Sequence, residues 1–355
     1  MPDFENPILR LPIIPADILK RHKVLEEYDT RFRASARLLQ ALWRQDQDLP
    51  IGSYATQSGE RRKLGSRITT SAGRSGANFL HPDIANLVRH QVAYREVGAL
   101  IDEQRLYMNL LSSMPLTFNL FGPMALDLEL ATRTLHAICP DLSSATVTEV
   151  LFEHSPGRGN PNLTGDYTAF DVLLAYEGQS GRRGFIAVEV KYSEAMTEPS
   201  RPIKPRYDEL SAVSKFFIDP ESPALRTNPL QQLFRSHLLA YAMLTRGDYD
   251  EGRFIVIAPS LNHQVQTAIG TYRCQLLEAA ESPLSFGAVT LERVIECLNH
   301  AGEPEHAAVL HKRYCDWHRV DQEVKSELVA QSRLWQRPTA LRRKRKQAVS
   351  EARAS

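Results

Sequence analysis

Asp171, Glu189 and Lys191 have the side-chain types and the spacing to hold a metal ion beside a phosphate group. They lie in GDYTAFDVLLAYEGQSGRRGFIAVEVKYSE, Gly165 to Glu194. Asp171–Tyr176 is a short run rich in Val and Leu, and Phe185–Tyr192 is a second run with strict alternation. The polar Glu177–Gly184 between them suits a turn, so the pattern predicts a β-hairpin. A period of two puts Ile186, Val188, Val190 and Tyr192 on one face, and Phe185, Ala187, Glu189 and Lys191 on the other. Folding about Ser180 sets Asp171 opposite Glu189, where cross-strand Cβ atoms stand about 5 Å apart. Two half-buried carboxylates repel each other and lose hydration, and a divalent cation relieves both costs. Mg²⁺ suits such a pair, because it is held by one or two carboxylates plus waters and phosphate oxygens. Lys191 would then stand beside the ion, to place a water or to offset charge on a phosphate oxygen. Burial is expected to lower its pKa towards that of a base. An isolated E-x-K triplet reads as a surface ion pair; the Asp at hairpin spacing and the apolar strand argue against that here.

Other elements must position this stretch. Thr146–His154 reads as a strand, with Val150 and Phe152 on one side and Val147, Glu149, Leu151 and Glu153 on the other. Glu153, at its end, is either a further acid of the site or a solvated strand terminus, and Arg158 just beyond is a candidate phosphate contact. Pro115 and Pro123 are expected to interrupt the chain before a helix over Met124–Ile138. After the hairpin comes an irregular, proline-rich insertion, Ala195–Arg226. Asn228-Pro229 reads as the N-cap and first turn of a helix with Leu230, Leu233, Phe234, Leu238 and Tyr241 as its buried stripe. Arg235 near its start is a structural or phosphate contact. Phe254–Ala258 reads as a buried strand, Asn262–Ala280 as a helix and Phe286–Val289 as a strand, with Thr290 capping a helix through Leu298.

These residues together resemble the PD-(D/E)XK, or restriction-endonuclease-like, nuclease superfamily. Asp171 matches its aspartate, Glu189 its second acid and Lys191 its lysine, although Phe170 stands where the signature has proline. The blocks SSMPLTFNLFGP, FEHSPGR, TAFD, VEVKYSE and QLFRSHLLA extend the likeness over roughly residues 40 to 320, towards a bacterial group of largely unassigned role. The resemblance implies an α/β fold: an αβββαβ core with a mixed central sheet flanked by helices, plus a helical and loop-rich N-terminal region. The core is expected over 114–300, between that region at 1–113 and a C-terminal helix and basic tail at 301–355. It further implies a Mg²⁺-dependent endonuclease (Mn²⁺ substituting) that hydrolyses DNA in restriction, phage defence or repair. Asp171 and Glu189 would hold the metal with help from the Val190 carbonyl, and Lys191, Glu153 and Gln232 (or Gln231) would complete the catalytic set. Two alternatives stand beside it: a catalytically silent nuclease-fold protein that binds nucleic acid or acts as a scaffold, and a nuclease for RNA or branched DNA. Cutting both strands takes two sites, so a homodimer is expected.

Composition narrows the field. The chain has 355 residues, 43% of them hydrophobic and 24% charged, and a net charge of +1, so a DNA partner must be held by a local basic patch. Arg44–Phe79 reads as a long loop or a loop-rich subdomain whose Arg61, Arg62, Lys63, Arg67 and Arg74 could reach a phosphate backbone; Arg67 is taken as a nucleic-acid contact. Tyr54, Phe79 and Tyr167 are aromatic residues suited to stacking, but nothing groups them in the sequence. The run Arg342–Lys346 is a solvated basic tail. The four cysteines form no C-x-x-C pair, which points to a reducing compartment and away from disulfides. His311, Cys315 and His318 lack a fourth neighbour for zinc. No apolar run is long enough for a membrane span and no signal-peptide pattern opens the chain, so a cytoplasmic protein is expected.

Overall fold

A computed structural model of the chain describes residues 10–56, 58–197, 200–277 and 283–335. Helices α1 (Ala16–Arg21) and α2 (Arg31–Asp46) open it, with a break between them. The break has two causes: Lys23 adopts a φ of +56°, and the Thr30 hydroxyl accepts from Arg33 N to start a new helix. Arg44–Phe79 is not a loop. It contains an antiparallel hairpin, β1 (Ile51–Ala55) and β2 (Arg61–Ile68), followed by the short α3 (Thr70–Ser75). Only Leu64, Gly65, Ser66 and Ile68 of β2 are buried, so its arginines and glycine masked the strand. Gly65 is required there, because a Cβ would stand 2.0 Å from the His22 carbonyl oxygen.

Next come α4 (Pro82–Ala93), capped by His81, and α5 (Glu103–Met108). The SSMPLTFNLFGP block is helix α6 (Ser113–Leu126) rather than a break. Pro115 sits in its first turn, where an N–H has no intrahelical acceptor, and Pro123 lies near its end. Nearly every α6 side chain is buried, which leaves no amphipathic period to read. Asp127 then caps a separate α7 (Leu128–Ile138), so the helix expected over Met124–Ile138 is divided.

The central sheet holds β3 (Thr146–His154), β4 (Phe170–Glu177), β5 (Arg183–Val190), β6 (Glu251–Ala258) and β7 (Leu284–Thr290), in that spatial order. β3, β4 and β5 are antiparallel; β5, β6 and β7 are parallel. Between β5 and β6 run α8 (Pro205–Ser214) and α9 (Gln231–Arg246), and α10 (His263–Arg273) links β6 to β7. α11 (Leu291–His300), α12 (Pro304–Tyr314) and α13 (Trp317–Trp335) follow, with Thr290 capping α11 as expected. α7, β3, β4, β5, α9 and β6 reproduce the αβββαβ order, and the mixed five-stranded sheet flanked by helices is a restriction-endonuclease-like fold.

The hairpin pairs Val172 with Val188, Leu173 with Ala187 and Leu174 with Ile186, the register centred on Ser180. Its alternation also holds. Ile186, Val188, Val190 and Tyr192 join one apolar cluster with α2, α6, α7 and α11–α13, whereas Phe185 and Ala187 join another with α8, α9 and α10. On β3 a register shift between Val147 and Glu149 moves Val147 onto the face of Val150 and Phe152, against the plain alternation expected. α9 begins at Gln231 with Leu230 as its N-cap, not at Asn228; the Asn228-Pro229 peptide is cis. Its stripe is buried at Leu230, Leu233, Phe234 and Leu238, with Tyr241 partly buried. The helix expected over Asn262–Ala280 ends at Arg273, and Leu276 already bridges to Phe217; residues 278–280 and the Arg342–Lys346 tail lie outside the described residues. No described helix is long and apolar enough to cross a membrane.

Candidate active site

The end of the hairpin opens into a cavity of about 320 Å³ lined by Glu153, Asp171, Glu189, Lys191, Glu194 and Gln232, among others. Five elements converge there: the end of β3, the start of β4, the end of β5, and the starts of α9 and α6. Asp171 follows the first residue of β4, and its Oδ2 accepts from the Val190 amide at 2.7 Å, which ties the two strands together beyond their last pair. Glu189 and Lys191 are almost closed to solvent, at 2% and 7% exposure. Lys191 N donates to the Ile257 carbonyl at 2.8 Å, so the residue after β5 is still clamped to β6.

Glu189, Lys191 and Gln232 close a ring of hydrogen bonds. Lys191 Nζ stands 2.9 Å from Glu189 Oε1 and donates to Gln232 Oε1 at 2.7 Å. Gln232 Nε2 in turn donates to Glu189 Oε1 at 2.6 Å. Both glutamines line the cavity, but Gln232 bonds the Glu189–Lys191 pair while Gln231 bonds the backbone of Arg201 and Arg226. With an amide that accepts from the lysine and donates to the glutamate, neither charge is left unpaired in a water-poor place.

The electrostatics centre on three acids. Burial raises the Asp171 carboxyl well above its usual range, and the Glu189 and Glu153 charges add to this. Burial and Glu189 together push Glu153 up to about 7. Glu153 also holds a φ of +47° at the strand end, a conformation that non-glycine residues rarely adopt. Burial opposes the Lys191 charge, yet Glu189, Glu194 and Asp171 outweigh it and hold the ammonium pKa above its ordinary value. In the metal-free site the carboxylates therefore hold Lys191 charged, against the lowering expected from burial alone.

Glu194, two residues after the E-x-K run's tyrosine, was not singled out in the sequence. Its oxygens accept from Tyr192 N at 2.7 Å and from Ser113 N, at the start of α6, at 3.2 Å. Lys191 and these amides outweigh its burial and keep its pKa low. The signal available was its place in the VEVKYSE block.

The arginines divide. Arg235 lines the cavity, but its guanidinium pairs with Asp166 at 2.5 Å and lies 5.4 Å from the Tyr207 ring centre. Arg158 is spent on the protein: it bonds Glu96 at 3.1 Å, the Tyr167 carbonyl at 3.3 Å and the Glu153 carbonyl at 2.6 Å. In doing so it holds the strained turn at Glu153. Arg67 stands outside this cavity, in a neighbouring one. Tyr167 is half-exposed on the cavity rim, braced by Gly98, where a Cβ would come within 2.6 Å of its ring. Phe79 is buried in the core.

Among the described residues no three His, Cys, Asp or Glu side chains cluster tightly enough to hold an ion, and His311, Cys315 and His318 do not either. Asp171 and Glu189 remain as a facing pair at hairpin register, each with one oxygen committed inside the protein. A carboxylate pair completed by waters and substrate oxygens suits Mg²⁺ or Mn²⁺ and does not suit a site built wholly from protein ligands.

A mixed sheet with acids and a lysine at the open end of its hairpin defines a restriction-endonuclease-like protein. The match to the family model described as the PD-(D/E)XK nuclease superfamily covers residues 27–316, and the chain belongs to that superfamily. No curated protein and no solved structure matches it.

Proposed function

We propose that the protein is a divalent-metal-dependent endonuclease that hydrolyses phosphodiester bonds in DNA. The observation that carries this reading is the closed Glu189–Lys191–Gln232 ring beside the buried Asp171 in one cavity. Asp171 and Glu189 would hold Mg²⁺ or Mn²⁺. When bound, the ion supplies Lewis-acid polarisation of the phosphate and a more acidic water. Lys191, charged in this setting, neutralises a non-bridging phosphate oxygen as negative charge builds in the transition state. Gln232 fixes the lysine and the glutamate relative to each other, so neither reorganises during the reaction. Glu153, poised to exchange a proton near neutrality, orients or deprotonates the attacking water. A scaffold with no chemistry to do would have no reason to keep three mutually repelling acids in one cavity.

The test is cleavage of linear, circular, methylated and branched DNA and of RNA with Mg²⁺ or Mn²⁺, by wild type, Asp171→Asn and Lys191→Met. Cleavage of DNA by the wild type alone is the expected result. A wild type that neither cleaves nucleic acid nor gains thermal stability from either ion overturns the reading. Cutting both strands would bring two copies together on DNA, which sedimentation with and without substrate reads directly. The four free cysteines fit a cytoplasmic setting, in which restriction, defence or repair would take place.

A further inference from the structure

A second cavity, of about 430 Å³, adjoins the first across Arg105 and Glu194, which line both. Its walls come from the N-terminal segment: Arg33 and Arg37 on α2, Tyr54 on β1 and Arg67 on β2. Most of its cations already have carboxylates. Arg37 and Arg33 share Asp29 at 2.6 and 3.2 Å, and Arg105 faces Glu194 at 3.6 Å. Arg67 differs. Its Nε is shut from solvent without a hydrogen-bond partner, and it makes no ion pair among the described residues. Its guanidinium lies 5.7 Å from the centre of the Tyr54 ring, with the Asp102 carboxylate and the Arg37 guanidinium near enough to act on its charge without bonding it. A guanidinium is a planar fork suited to two phosphate oxygens, and tyrosine offers a face on which a base can stack. On the far rim of the first cavity Tyr167 offers another such face.

We propose that this arginine-walled cavity is a substrate subsite: Arg67 takes the phosphate, and Tyr54 the base, of the nucleotide adjoining the scissile one. The proposal deepens the nuclease reading and rests on it for the strand assignment. A strand would then pass from Tyr167 over the Asp171–Glu189 pair to Arg67. Extended passage of this kind favours an unpaired stretch of the substrate over intact duplex.

The first test is metal-free. In chelator, deoxyadenosine 5′-monophosphate and, more weakly, inorganic phosphate should raise the melting temperature of the full chain saturably. Arg67→Gln should weaken binding about tenfold or more, the scale for losing a bidentate charge-assisted contact. Glu189→Gln should keep it, and Tyr54→Leu should keep phosphate binding while losing the nucleotide's advantage. Wild type without saturable binding, binding that survives Arg67→Gln, or equal loss in Glu189→Gln overturns the proposal. If Arg67→Gln does not fold, the wild type and Tyr54→Leu decide. The second test is steady-state cleavage with metal. The monophosphate should inhibit competitively, and Arg67→Gln should lower kcat/KM about tenfold, chiefly through KM. Non-competitive inhibition would mean a free-nucleotide effector and would sink the strand assignment. The two failures are separable. No cleavage by wild type, with the first test intact, removes the nuclease reading and the strand assignment with it; cleavage with one KM for wild type and Arg67→Gln removes this subsite alone.

Discussion

Replacing Glu153 by glutamine should make the metal-free protein more stable while costing it activity. The carboxyl is pushed from an ordinary 4.5 up to about 7, by burial and by the neighbouring Glu189 charge. At about 1.36 kcal/mol per pH unit, keeping Glu153 ionised costs the folded state about 3 kcal/mol at pH 8. The sign follows from proton binding. A folded-state value above the unfolded one means the folded protein holds more protons between pH 4.5 and about 7, so wild-type stability falls as pH rises through that window. Glutamine carries no charge, and the Glu153 side chain has no recorded hydrogen bond to lose. The variant should therefore match the wild type near pH 4.5 and exceed it by about 3 kcal/mol above pH 7.5. With an unfolding entropy of about 2.1 cal/mol/K per residue, that difference is about 4 °C in melting temperature for a chain of this length. Scanning calorimetry in chelator from pH 4.5 to 8.5 measures it. Saturating Mg²⁺ should narrow the gap, because a cation beside Glu189 removes part of the repulsion. A variant that is no more stable at pH 8, or whose advantage persists unchanged at pH 4.5, would refute the reasoning.

Metal binding should release about one proton or more per site at pH 7, since Asp171 and Glu153 must give up protons raised by burial; calorimetry in buffers of different ionisation enthalpy counts them. Lys191→Met should leave Glu189 buried without its cation and destabilise the metal-free protein by about 3 kcal/mol, an effect that Mg²⁺ should partly reverse in urea titrations. Gln232→Ala should lower kcat about 10- to 100-fold with little change in KM, because it loosens the lysine and glutamate without removing either. Asp171→Ala should abolish the melting-temperature increase that Mn²⁺ gives the wild type.

The hairpin was legible because its signals agree: apolar alternation, a polar turn, and two acids at matching distances from Ser180. Its register and the division of side chains between the two sheet faces follow directly, whereas a glutamine from the following helix was implied by the family resemblance alone, which left Gln231 and Gln232 open. What escaped has physical causes. α6 is buried on all sides and carries two prolines, so it has neither a helical period nor a clean composition. β2 is half-exposed and arginine-rich, and reads like a loop until its close packing against residues 22–24 is seen. The bulge in β3 flips Val147, which no alternation rule can foresee. Within the site, pairing reversed the expected effect of burial on Lys191, and a sequence shows a lysine without showing how many carboxylates will surround it. Arg158 and Arg235 looked like phosphate ligands by charge; Glu96 and Asp166, distant or unremarked in sequence, had already claimed them.

Tyr192 follows Lys191 directly, and its hydroxyl is held between α2 and α12, by Gln40 and the Tyr314 carbonyl. Gln40 Nε2 donates to it at 3.1 Å and also to the Arg313 carbonyl at 2.8 Å, and the Arg313 guanidinium lies 4.0 Å from the Trp43 ring centre and bonds the Asn78 carbonyl. The candidate site is thus laced to helices that lie outside the αβββαβ core. An excised fragment spanning only the sheet and its nearest helices would be a poor cassette for engineering, because removing α2 or α12 unties the knot one residue from Lys191.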